Sequence, residues 1–600
     1  MPGIAGVHSP EPSAAHAQRV RQMIGAMRQR RDLVSGSVSA PEAGVCAGWV
    51  AHAGSQAARQ CTARRGDVQI VLGGECHDSG ACHEVSLLDR YELDGDGFVA
   101  GLNGLFAGLL IDRARGQAVL FNDRFGSEPL YAFEKDGETY FASEAKALLA
   151  VLPELRAFDD TGVAQFLAFG STLGEHTLFR GLRRVPGGSR WRLSRGAPPR
   201  RERYFTPSEW ERLPTLPEPE FEARFASTFR ELLPSYLRDE QPVGISLTGG
   251  LDTRMIVACS PPALTPTVAY TYAAEGGDNL LDLRIAERIA ASRGIPHRAL
   301  RIGTEFVSEF GSQLDRTVRT TDGSAGVLGA HEIYLSEQAR RLAPVRLTGN
   351  FGSEVLRSMS TFKRNAPASR LLDPGMAARV DAVAVEYSTR SVHPVTQAAF
   401  EEVPWHLFGA LAAGRSQLSV RTPFMDNKVV ELAYRMPPHL RHTPEPALRL
   451  IHAGDVALAA VSTDRGLAWP NDGMAGRLRR LWCGATFKLD YWHKEGLPDA
   501  LSRWDRAIGS LSHLGVLGLH KFLPYRGWFR GPLAPYAAAV IDDARTRQMA
   551  FWDTSALGAV VSDHVNGKRN ALRDIHAVLT LEAVHRLLID SAAYRVDDPA

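Results

Sequence analysis

The stretch Val243-Gly-Ile-Ser-Leu-Thr-Gly-Gly-Leu-Asp-Thr-Arg254 decides the fold of the C-terminal part of this chain. It reads as a short apolar strand, a turn with one hydroxyl residue and two glycines, and the start of a helix. The glycines let backbone N–H groups approach an anion closely, and the N-terminus of the following helix adds its dipole. The stretch therefore predicts a cradle for phosphate groups.

This loop differs from two other nucleotide-binding loops. It lacks the Gly-Lys-Ser/Thr ending of the P-loop, and it lacks the GxGxxG spacing of dinucleotide-binding proteins. Thr248 and Thr253 offer hydroxyls, and Asp252 offers a carboxylate for Mg²⁺ on a leaving pyrophosphate. Read alone, the stretch also fits an ordinary tight turn between a strand and a helix.

The chain before this stretch has the pattern of an antiparallel, β-rich domain. Apolar and β-branched runs alternate with polar turns, and strands are expected at 68–72, 105–111, 117–121, 129–133 and 138–142. The pair Gly73-Gly74 is expected to end the first of these strands. We place this domain at residues 1–205 and a Pro- and Glu-rich linker at 206–220.

From residue 221 to residue 600 the pattern changes to an alternation of strands and helices. A helix is expected at 221–237, strands at 243–247 and 267–272, and further helices at 253–259 and 282–293. This order predicts a parallel sheet with helices on both faces, followed by a mainly helical part. The fold class is therefore α/β and multidomain.

The bulk properties exclude several classes of function. A length of 600 residues is too great for one hydrophobic core, and a net charge of +2 gives no indication of a nucleic-acid or membrane partner. Because neither a signal peptide nor a long apolar run is visible, we expect a cytoplasmic protein. The dipeptides Cys76-His77 and Cys82-His83 have an unusual spacing for zinc, so the six cysteines are expected to be reduced.

Beyond the loop, collinear motifs over residues 3–440 resemble those of the asparagine synthetase family. The loop itself resembles the family's SGGxDS pyrophosphate loop, with threonines at the two serine positions. The N-terminal motifs similar to the family's are Gly3-Ile4-Ala5-Gly6 and the runs 122–131, 141–148 and 179–188. The C-terminal motifs are Leu347–Glu354, where the family has LSGEGxDE, and Arg421–Asp426, which resembles R.PFLD.

The resemblance implies both a fold and a set of site residues. It implies a degenerate Ntn-hydrolase-like αββα domain in the N-terminal part. It also implies an ATP-pyrophosphatase-type domain in the C-terminal part, with ATP and Mg²⁺ as cofactors. Asp252 and Glu354 are the expected metal ligands. The residues expected to bind the nucleotide are Leu247, Thr248, Gly249, Gly250, Asp252, Thr253, Thr348 and Gly349.

The N-terminal part departs from the family where glutamine is hydrolysed. The family's nucleophilic cysteine is replaced by Pro2, which has no thiol and cannot form a thioester. The family's NGE segment is altered to Gly73-Gly74-Glu75. We therefore expect a domain that keeps its fold without hydrolysing glutamine, in which Arg124, Glu128 and Ser143-Glu144 are core and interface residues.

The C-terminal site departs from the family in its charged groups. Ser353 stands at the position of a second metal-binding aspartate, so Glu354 is expected to take its place. Asn350 stands where relatives orient or deprotonate the amine, and an amide cannot act as a base. The chain has no lysine between Lys428 and Lys488, and Arg465 is the expected substitute. Arg465, Asn350 and Glu354 are thus the candidate catalytic residues.

The sequence indicates an ATP-dependent amide synthetase that adenylates a small-molecule or peptide carboxylate and lets an amine attack the acyl-AMP. Relatives without glutaminase activity suggest natural-product or specialised biosynthesis. Asp322 and Gly323 are candidates for substrate binding, although an ordinary loop turn explains them equally well. Two alternatives are a catalytically decayed scaffold or regulatory nucleotide-binding protein and an amidotransferase served by a separate glutaminase. A homodimer is left open.

Overall fold

The computed structural model describes residues 2–77, 87–275, 280–470, 473–495, 519–520 and 522–590. Within these ranges, no helix combines the length and the apolar character that a membrane span requires. The described cysteines are all buried and none of them forms a disulfide, and Cys82 of the second Cys-His dipeptide lies outside the described residues.

The N-terminal part is built from twelve strands. They are β1 (Gly3–His8), β2 (Leu33–Ala40), β3 (Val45–His52), β4 (Thr62–Arg65), β5 (Val68–Cys76), β6 (Gly104–Asp112), β7 (Gln117–Asn122), β8 (Tyr131–Lys135), β9 (Glu138–Ala142), β10 (Arg183–Arg184), β11 (Ser189–Ser194) and β12 (Ala197–Arg203). They form two six-stranded antiparallel sheets, ordered β10-β8-β9-β1-β3-β2 and β12-β11-β7-β6-β5-β4.

The two sheets face each other and are covered by helices on their outer faces. Apolar side chains from both sheets, including Ile4, Val71, Leu120 and Phe141, meet between them. The helices here are α1 (Ala14–Met27), α2 (Gln56–Gln60), α3 (Leu87–Asp94), α4 (Ala145–Val151) and α5 (Asp160–Phe169). Because α1 and α4 cover the first sheet and α3 the second, the αββα expectation is confirmed.

The expected end of β5 at Gly73-Gly74 is wrong, since the strand continues to Cys76. A Cβ atom at Gly74 would lie 2.2 Å from the backbone oxygen of Leu105, and Gly74 has a φ of +88°. Gly74 therefore allows close approach to β6, Gly73 allows close approach to Gly3 of β1, and neither glycine terminates the strand.

The C-terminal part contains a five-stranded parallel sheet in the order β15-β14-β13-β16-β17, which confirms the predicted class. Its strands are β13 (Val243–Ser246), β14 (Val268–Ala274), β15 (His297–Ile302), β16 (Val345–Thr348) and β17 (Ser419–Arg421). The helices up to the last strand are α6 (Ser208–Glu211), α7 (Glu218–Leu237), α8 (Asp252–Cys259), α9 (Leu281–Ser292), α10 (Thr304–Ser308), α11 (Phe310–Thr321), α12 (His331–Leu342), α13 (Gly352–Arg357), α14 (Pro374–Ser388), α15 (Pro394–Thr396), a π-helix (Gln397–His406) and α16 (Phe408–Arg415).

The rest of the described chain is helical, as the sequence predicts. It contains α17 (Asn427–Tyr434), α18 (Glu445–Gly454), α19 (Val456–Ala460) and α20 (Gly473–Glu495), followed by helices at Tyr525–Arg530, Ala534–Asp542, Ala544–Arg547, Thr554–Leu557, Val560–Val565 and Leu572–Val584. These last helices pack with α1, α5 and α11 in one large apolar core.

The segment 206–220, expected as a linker, is packed against the C-terminal part. It contains the short helix α6, and the ring of Trp210 lies 4.5 Å from that of Phe205. Trp210 and Leu216 are buried in the same core as apolar side chains of the parallel strands β13 and β16. The domain boundaries themselves stay a prediction.

Candidate active site

The phosphate cradle predicted from the sequence lies at the C-terminal end of β13. The strand ends at Ser246, and α8 begins at Asp252 without a side-chain cap on its first turn. The hydroxyls of Thr248 and Thr253 lie 3.3 Å apart, and the N–H of Thr248 donates to the Thr253 hydroxyl. The uncapped N-terminus of α8 is thus placed beside two hydroxyls, a combination suited to an anion.

Two buried charged side chains fix the shape of this loop. Arg254 is fully buried and donates to the carbonyl oxygen of Gly249 at 3.0 Å and to that of Val461. Asp282 accepts a hydrogen bond of 2.6 Å from the N–H of Gly249. The Asp282 carboxylate, near the start of α9, therefore holds the loop in place.

Asp252 is already paired within the protein. One carboxylate oxygen accepts a 2.5 Å hydrogen bond from the hydroxyl of Ser353, and a guanidinium nitrogen of Arg357 lies 3.1 Å from the other oxygen. Arg357 also donates to the Ser353 hydroxyl. Burial raises the pKa of Asp252, while the positive charge of Arg357 lowers it.

The opposite wall is formed by the turn between β16 and α13. A Cβ atom at Gly349 would lie 2.6 Å from the backbone nitrogen of Thr253, so only glycine fits there. Thr348 donates to the amide oxygen of Asn350 at 2.9 Å, and Thr422 donates to the Asn350 backbone oxygen at 2.7 Å. Phe351 has a left-handed φ of 74°, a costly conformation that tends to occur at functional sites.

Glu354 and Arg465 approach the same space from α13 and from the loop after α19. Burial raises the pKa of Glu354 to about 7, and the negative charges of Asp252 and Glu402 add to this effect. The guanidinium carbon of Arg465 lies 3.1 Å from the ring centre of Phe487, and one of its nitrogens is 3.6 Å from Asp464. Burial raises the pKa of Asp464, and nearby Asp282 raises it further.

One cavity of about 470 Å³ brings most of the predicted site residues together. The three candidate catalytic residues line it. The predicted nucleotide-binding residues in its lining are Leu247, Thr248, Gly250, Asp252, Thr253, Thr348 and Gly349. Gly249 does not line the cavity, since its N–H and carbonyl oxygen are engaged by Asp282 and Arg254.

Asp322 and Gly323 lie outside the lining of this cavity, contrary to the expected substrate contact. The Asp322 carboxylate accepts hydrogen bonds from the N–H groups of Ala145 at 2.6 Å and Lys146 at 3.2 Å. It therefore caps α4 and ties the N-terminal part to the C-terminal part. A Cβ atom at Gly323 would lie 2.5 Å from the side chain of Val584, which explains the glycine structurally.

A second, much smaller cavity, of about 50 Å³, lies between the N-terminal and C-terminal parts, and Pro2 lines it. Its wall includes Glu75, whose carboxylate is 2.6 Å from the guanidinium of Arg421, and Glu128, which is 2.9 Å from Arg415. Burial raises the pKa of Glu128 to about 7. The expectation that Glu128 is an interface residue is confirmed.

The remaining residues expected in the core or at the interface also make contacts inside the protein. Arg124 donates to the carbonyl oxygens of Leu102 and Ala100, and the hydroxyl of Ser143 accepts from the N–H of Ile4 at 3.0 Å. Glu144 is fully buried beside Lys146.

Sequence reasoning missed several charged residues around the main cavity. Arg254, Arg357, Asp464 and Arg346 were not recognised, although each lies within a few residues of a motif. Arg346 offered a signal, because a single charge inside the apolar strand Val345–Thr348 is unusual for a buried parallel sheet. Arg357 gave no local signal, because its contact with Asp252 joins positions 105 residues apart.

Comparisons with known proteins agree with this architecture. The model of a glutamine amidotransferase domain matches residues 72–205, and the model of asparagine synthase matches residues 224–409. A solved structure of glutamine phosphoribosylpyrophosphate amidotransferase from B. subtilis, complexed with ADP and GMP, is 13% identical and covers 51% of this chain and 67% of that chain. Its TM-score of 0.25 is too low to indicate a shared overall fold.

Among curated relatives, asparagine synthetase [glutamine-hydrolyzing] 1 of Bacillus subtilis is 23% identical over 281 residues, which is 46% of this chain and 43% of the relative. Asparagine synthetase [glutamine-hydrolyzing] 3 of Arabidopsis thaliana is 23% identical over 363 residues, or 58% and 53% of the two chains. The chain thus spans about half the length of the curated relatives it matches. With a match to a glutamine amidotransferase domain ahead of a match to asparagine synthase, the chain is similar to the asparagine synthase family.

Proposed function

We propose that this protein is an ATP-dependent carbon–nitrogen ligase that adenylates a substrate carboxylate. One observation carries the proposal: the hydroxyl-glycine loop, Asp252 and Arg465 line a single cavity. A carboxylate oxygen of the acid attacks the α-phosphorus of ATP, a new O–P bond forms, and the bond to the β-phosphate breaks. The loop and the N-terminus of α8 hold the departing pyrophosphate, and Arg465 offsets the developing negative charge.

The second half of the proposed reaction is capture of the acyl-AMP by an amine. The amine nitrogen attacks the acyl carbon, the bond from that carbon to the phosphate oxygen breaks, and AMP leaves. Glu354 is the proposed acceptor of the amine proton, because a pKa of about 7 suits a general base at neutral pH. Asn350 cannot take a proton, so its proposed role is to orient the amine.

We propose that the amine comes from a substrate and not from glutamine. Pro2 stands in the interdomain cavity and has no thiol, and Glu75 is committed to an ion pair with Arg421. Both observations support a domain that is retained for structure. A role in natural-product or specialised biosynthesis, in the cytoplasm where ATP is available, follows from this proposal.

The proposed metal is Mg²⁺ bound together with the nucleotide. Among the described residues, no group of three or more His, Cys, Asp or Glu side chains is placed to hold a metal by itself. Mg²⁺ commonly needs only one or two carboxylates when phosphates supply further oxygens, so Asp252 can meet that requirement while Glu354 is kept for the proton of the amine. When bound, the ion would offset charge on the pyrophosphate, and Asp252 would exchange its contact with Arg357 for it.

The second candidate is a scaffold or regulatory protein that has lost catalysis. It is favoured by one observation, namely that Ser353 and Arg357 already occupy both oxygens of Asp252. Calorimetry with Mg-ATP, together with pyrophosphate exchange, distinguishes the two candidates. A catalytic site is expected to bind Mg-ATP and to incorporate labelled pyrophosphate into ATP when a suitable acid is present. A decayed scaffold should do neither, and a regulatory nucleotide-binding protein should bind Mg-ATP without the exchange.

A further inference from the structure

Arg346 projects from β16 on the face of the parallel sheet that borders the main cavity. In the strand register, Arg346 lies opposite Gly244. Two residues further along the strands, Thr348 and Tyr270 lie opposite Ser246, one on each side of β13. Because side chains alternate along a strand, Arg346 and Thr348 share one face of the sheet. Tyr270, Tyr272 and Arg346 line the same cavity as the phosphate loop.

The guanidinium of Arg346 is buried without an ion-pair partner. Arg346 is 9% exposed, and in the described part of the chain no carboxylate oxygen lies within 4.0 Å of it. Its guanidinium carbon lies 5.2 Å from the ring centre of Tyr272, and its Nε has no hydrogen-bond partner. Glu332 on α12 acts on it only through its charge.

Tyr270 adds a second unsatisfied donor beside this arginine. Its side chain is fully buried, and its hydroxyl has no hydrogen-bond partner in the described part of the protein. A buried guanidinium without a counter-charge is costly, and so is a buried hydroxyl without a partner. Two such groups at the end of a ligand cavity are explained when a ligand supplies the missing acceptor.

We propose that Arg346 and Tyr270 bind an oxyanion, most simply a second carboxylate, at the far end of the acid substrate. This inference rests on the proposed function, since the other end of the same acid is the carboxylate that is adenylated. Arg346 precedes Thr348 by two residues, which is about 7 Å along the strand. The substrate therefore carries two acidic groups separated by several carbon atoms, and Arg346 is a specificity-determining residue.

The first test measures ATP–pyrophosphate exchange with a series of α,ω-dicarboxylates from succinate to pimelate and with their monomethyl esters. The wild-type protein is expected to prefer at least one diacid over its monoester by about tenfold or more, as expected when a buried polar group is left unpaired. Arg346→Met should abolish this preference without changing the KM for ATP, and Arg346→Lys should restore part of it.

Arg441→Met is the matched control, because this arginine is partly buried and donates to the backbone oxygen of Tyr434 outside the cavity lining. It should keep the wild-type preference. An unchanged diacid preference in Arg346→Met would overturn the proposal. A raised KM for ATP in that variant would also overturn it, because the arginine would then serve the nucleotide.

A second test needs no turnover. Without substrate, Arg346→Met is expected to have a Tm equal to or above that of the wild type, since an unpaired buried charge is removed. The preferred diacid, or glutarate if none supports exchange, should raise the Tm of the wild type and not that of Arg346→Met. A lower Tm in Arg346→Met, or the same diacid effect in both proteins, would mark the guanidinium as structural and contradict the proposal.

The two tests separate failure of this inference from failure of the proposed function. If monoacids and diacids support exchange equally well, the ligase proposal stands and the assignment of Arg346 falls. If no acid supports exchange but diacids raise only the wild-type Tm, the anion site stands and the ligase proposal falls.

Discussion

A guanidinium nitrogen of Arg357 lies 3.1 Å from a carboxylate oxygen of Asp252, so the residue proposed to hold a metal is neutralised by an internal cation. The hydroxyl of Ser353 binds the other oxygen of the same carboxylate. The Asp252 side chain is 18% exposed, and these two partners offset the cost of withdrawing its carboxylate from water.

This contact predicts how the response to Mg²⁺ depends on Arg357. Replacement by methionine removes a positive charge that competes with the metal for Asp252. Arg357→Met is therefore expected to reach half-maximal exchange activity at a lower Mg²⁺ concentration than the wild type. The measurement is a Mg²⁺ titration at fixed ATP, with the exposed Arg364→Met as control. An unchanged midpoint would mean that Asp252 does not meet the metal.

Asp252 itself is expected to be essential for release of pyrophosphate. Asp252→Asn keeps the size of the side chain and removes its charge, so the rate of ATP–pyrophosphate exchange should fall by about 100-fold or more. Asp381→Asn, at an exposed ion pair, is the matched control and should retain activity. Exchange that persists in Asp252→Asn would sink the assignment of the loop as the site of ATP cleavage.

Glu354 predicts the pH dependence of amide formation. Its raised pKa of about 7 means that the carboxylate is protonated below neutral pH and becomes a proton acceptor only above it. The rate with a saturating amine should therefore rise as the pH increases through about 7. Glu354→Gln should remove this rise and slow the amide-forming step. A pH profile that is the same in both proteins would assign the base to another group.

The stability of the folded chain should also depend on this pKa. Between pH 4.5 and about 7 the unfolded chain has released the Glu354 proton while the folded chain retains it. The free energy of unfolding contributed by this residue is therefore greatest at low pH and is lost as the pH rises through that window. Glu128, with a pKa also near 7, contributes with the same sign. Denaturant titrations at several pH values measure this effect. Across this window, the free energy of unfolding of Glu354→Gln should change less with pH than that of the wild type.

The ion pairs of Arg421 should be critical for joining the two parts of the molecule. Arg421 is fully buried between Glu75 and Asp239, so removing it leaves the Glu75 carboxylate without an arginine partner, while Asp239 keeps only its ion pair with Arg59. Arg421→Met is expected to destabilise the protein by about 3–5 kcal/mol. The double variant Arg421→Met/Glu75→Gln should recover part of this loss. A denaturation midpoint in Arg421→Met equal to that of the wild type would contradict the prediction.

Introducing a cysteine at position 2 should not create a glutaminase. Pro2→Cys supplies a thiol, but Glu75 remains engaged by Arg421 and the segment Gly73-Gly74-Glu75 keeps its altered first residue. The variant is expected to release no glutamate from glutamine above the wild-type background. Measurable hydrolysis would show that the domain retains a working glutamine site and that only the nucleophile was lost.

The sequence by itself determined the class of sheet in each part of the chain, antiparallel in the N-terminal part and parallel in the C-terminal part. It also determined the position of the loop that is proposed to bind phosphate. Alternating strands and turns before residue 205 and the strand-turn-helix at Val243–Arg254 are local patterns, and local patterns need no knowledge of distant partners. The sequence could not place the end of β5, because Gly73 and Gly74 are explained by close contacts with β1 and β6, which are distant in the chain.

Only the tertiary structure decided which charges meet. Two contacts join residues that are far apart in the chain, namely that of Arg357 with Asp252 and the capping of α4 by Asp322. Arg346, by contrast, is buried without an ion-pair partner in the described part of the chain. Whether a charged side chain is paired depends on the packing of several elements around it, and no local pattern encodes that packing. The loop and its resemblance to the asparagine synthetase family made ATP the expected ligand, but the fold determined which arginine pairs with Asp252 and which one is available for the proposed substrate contact.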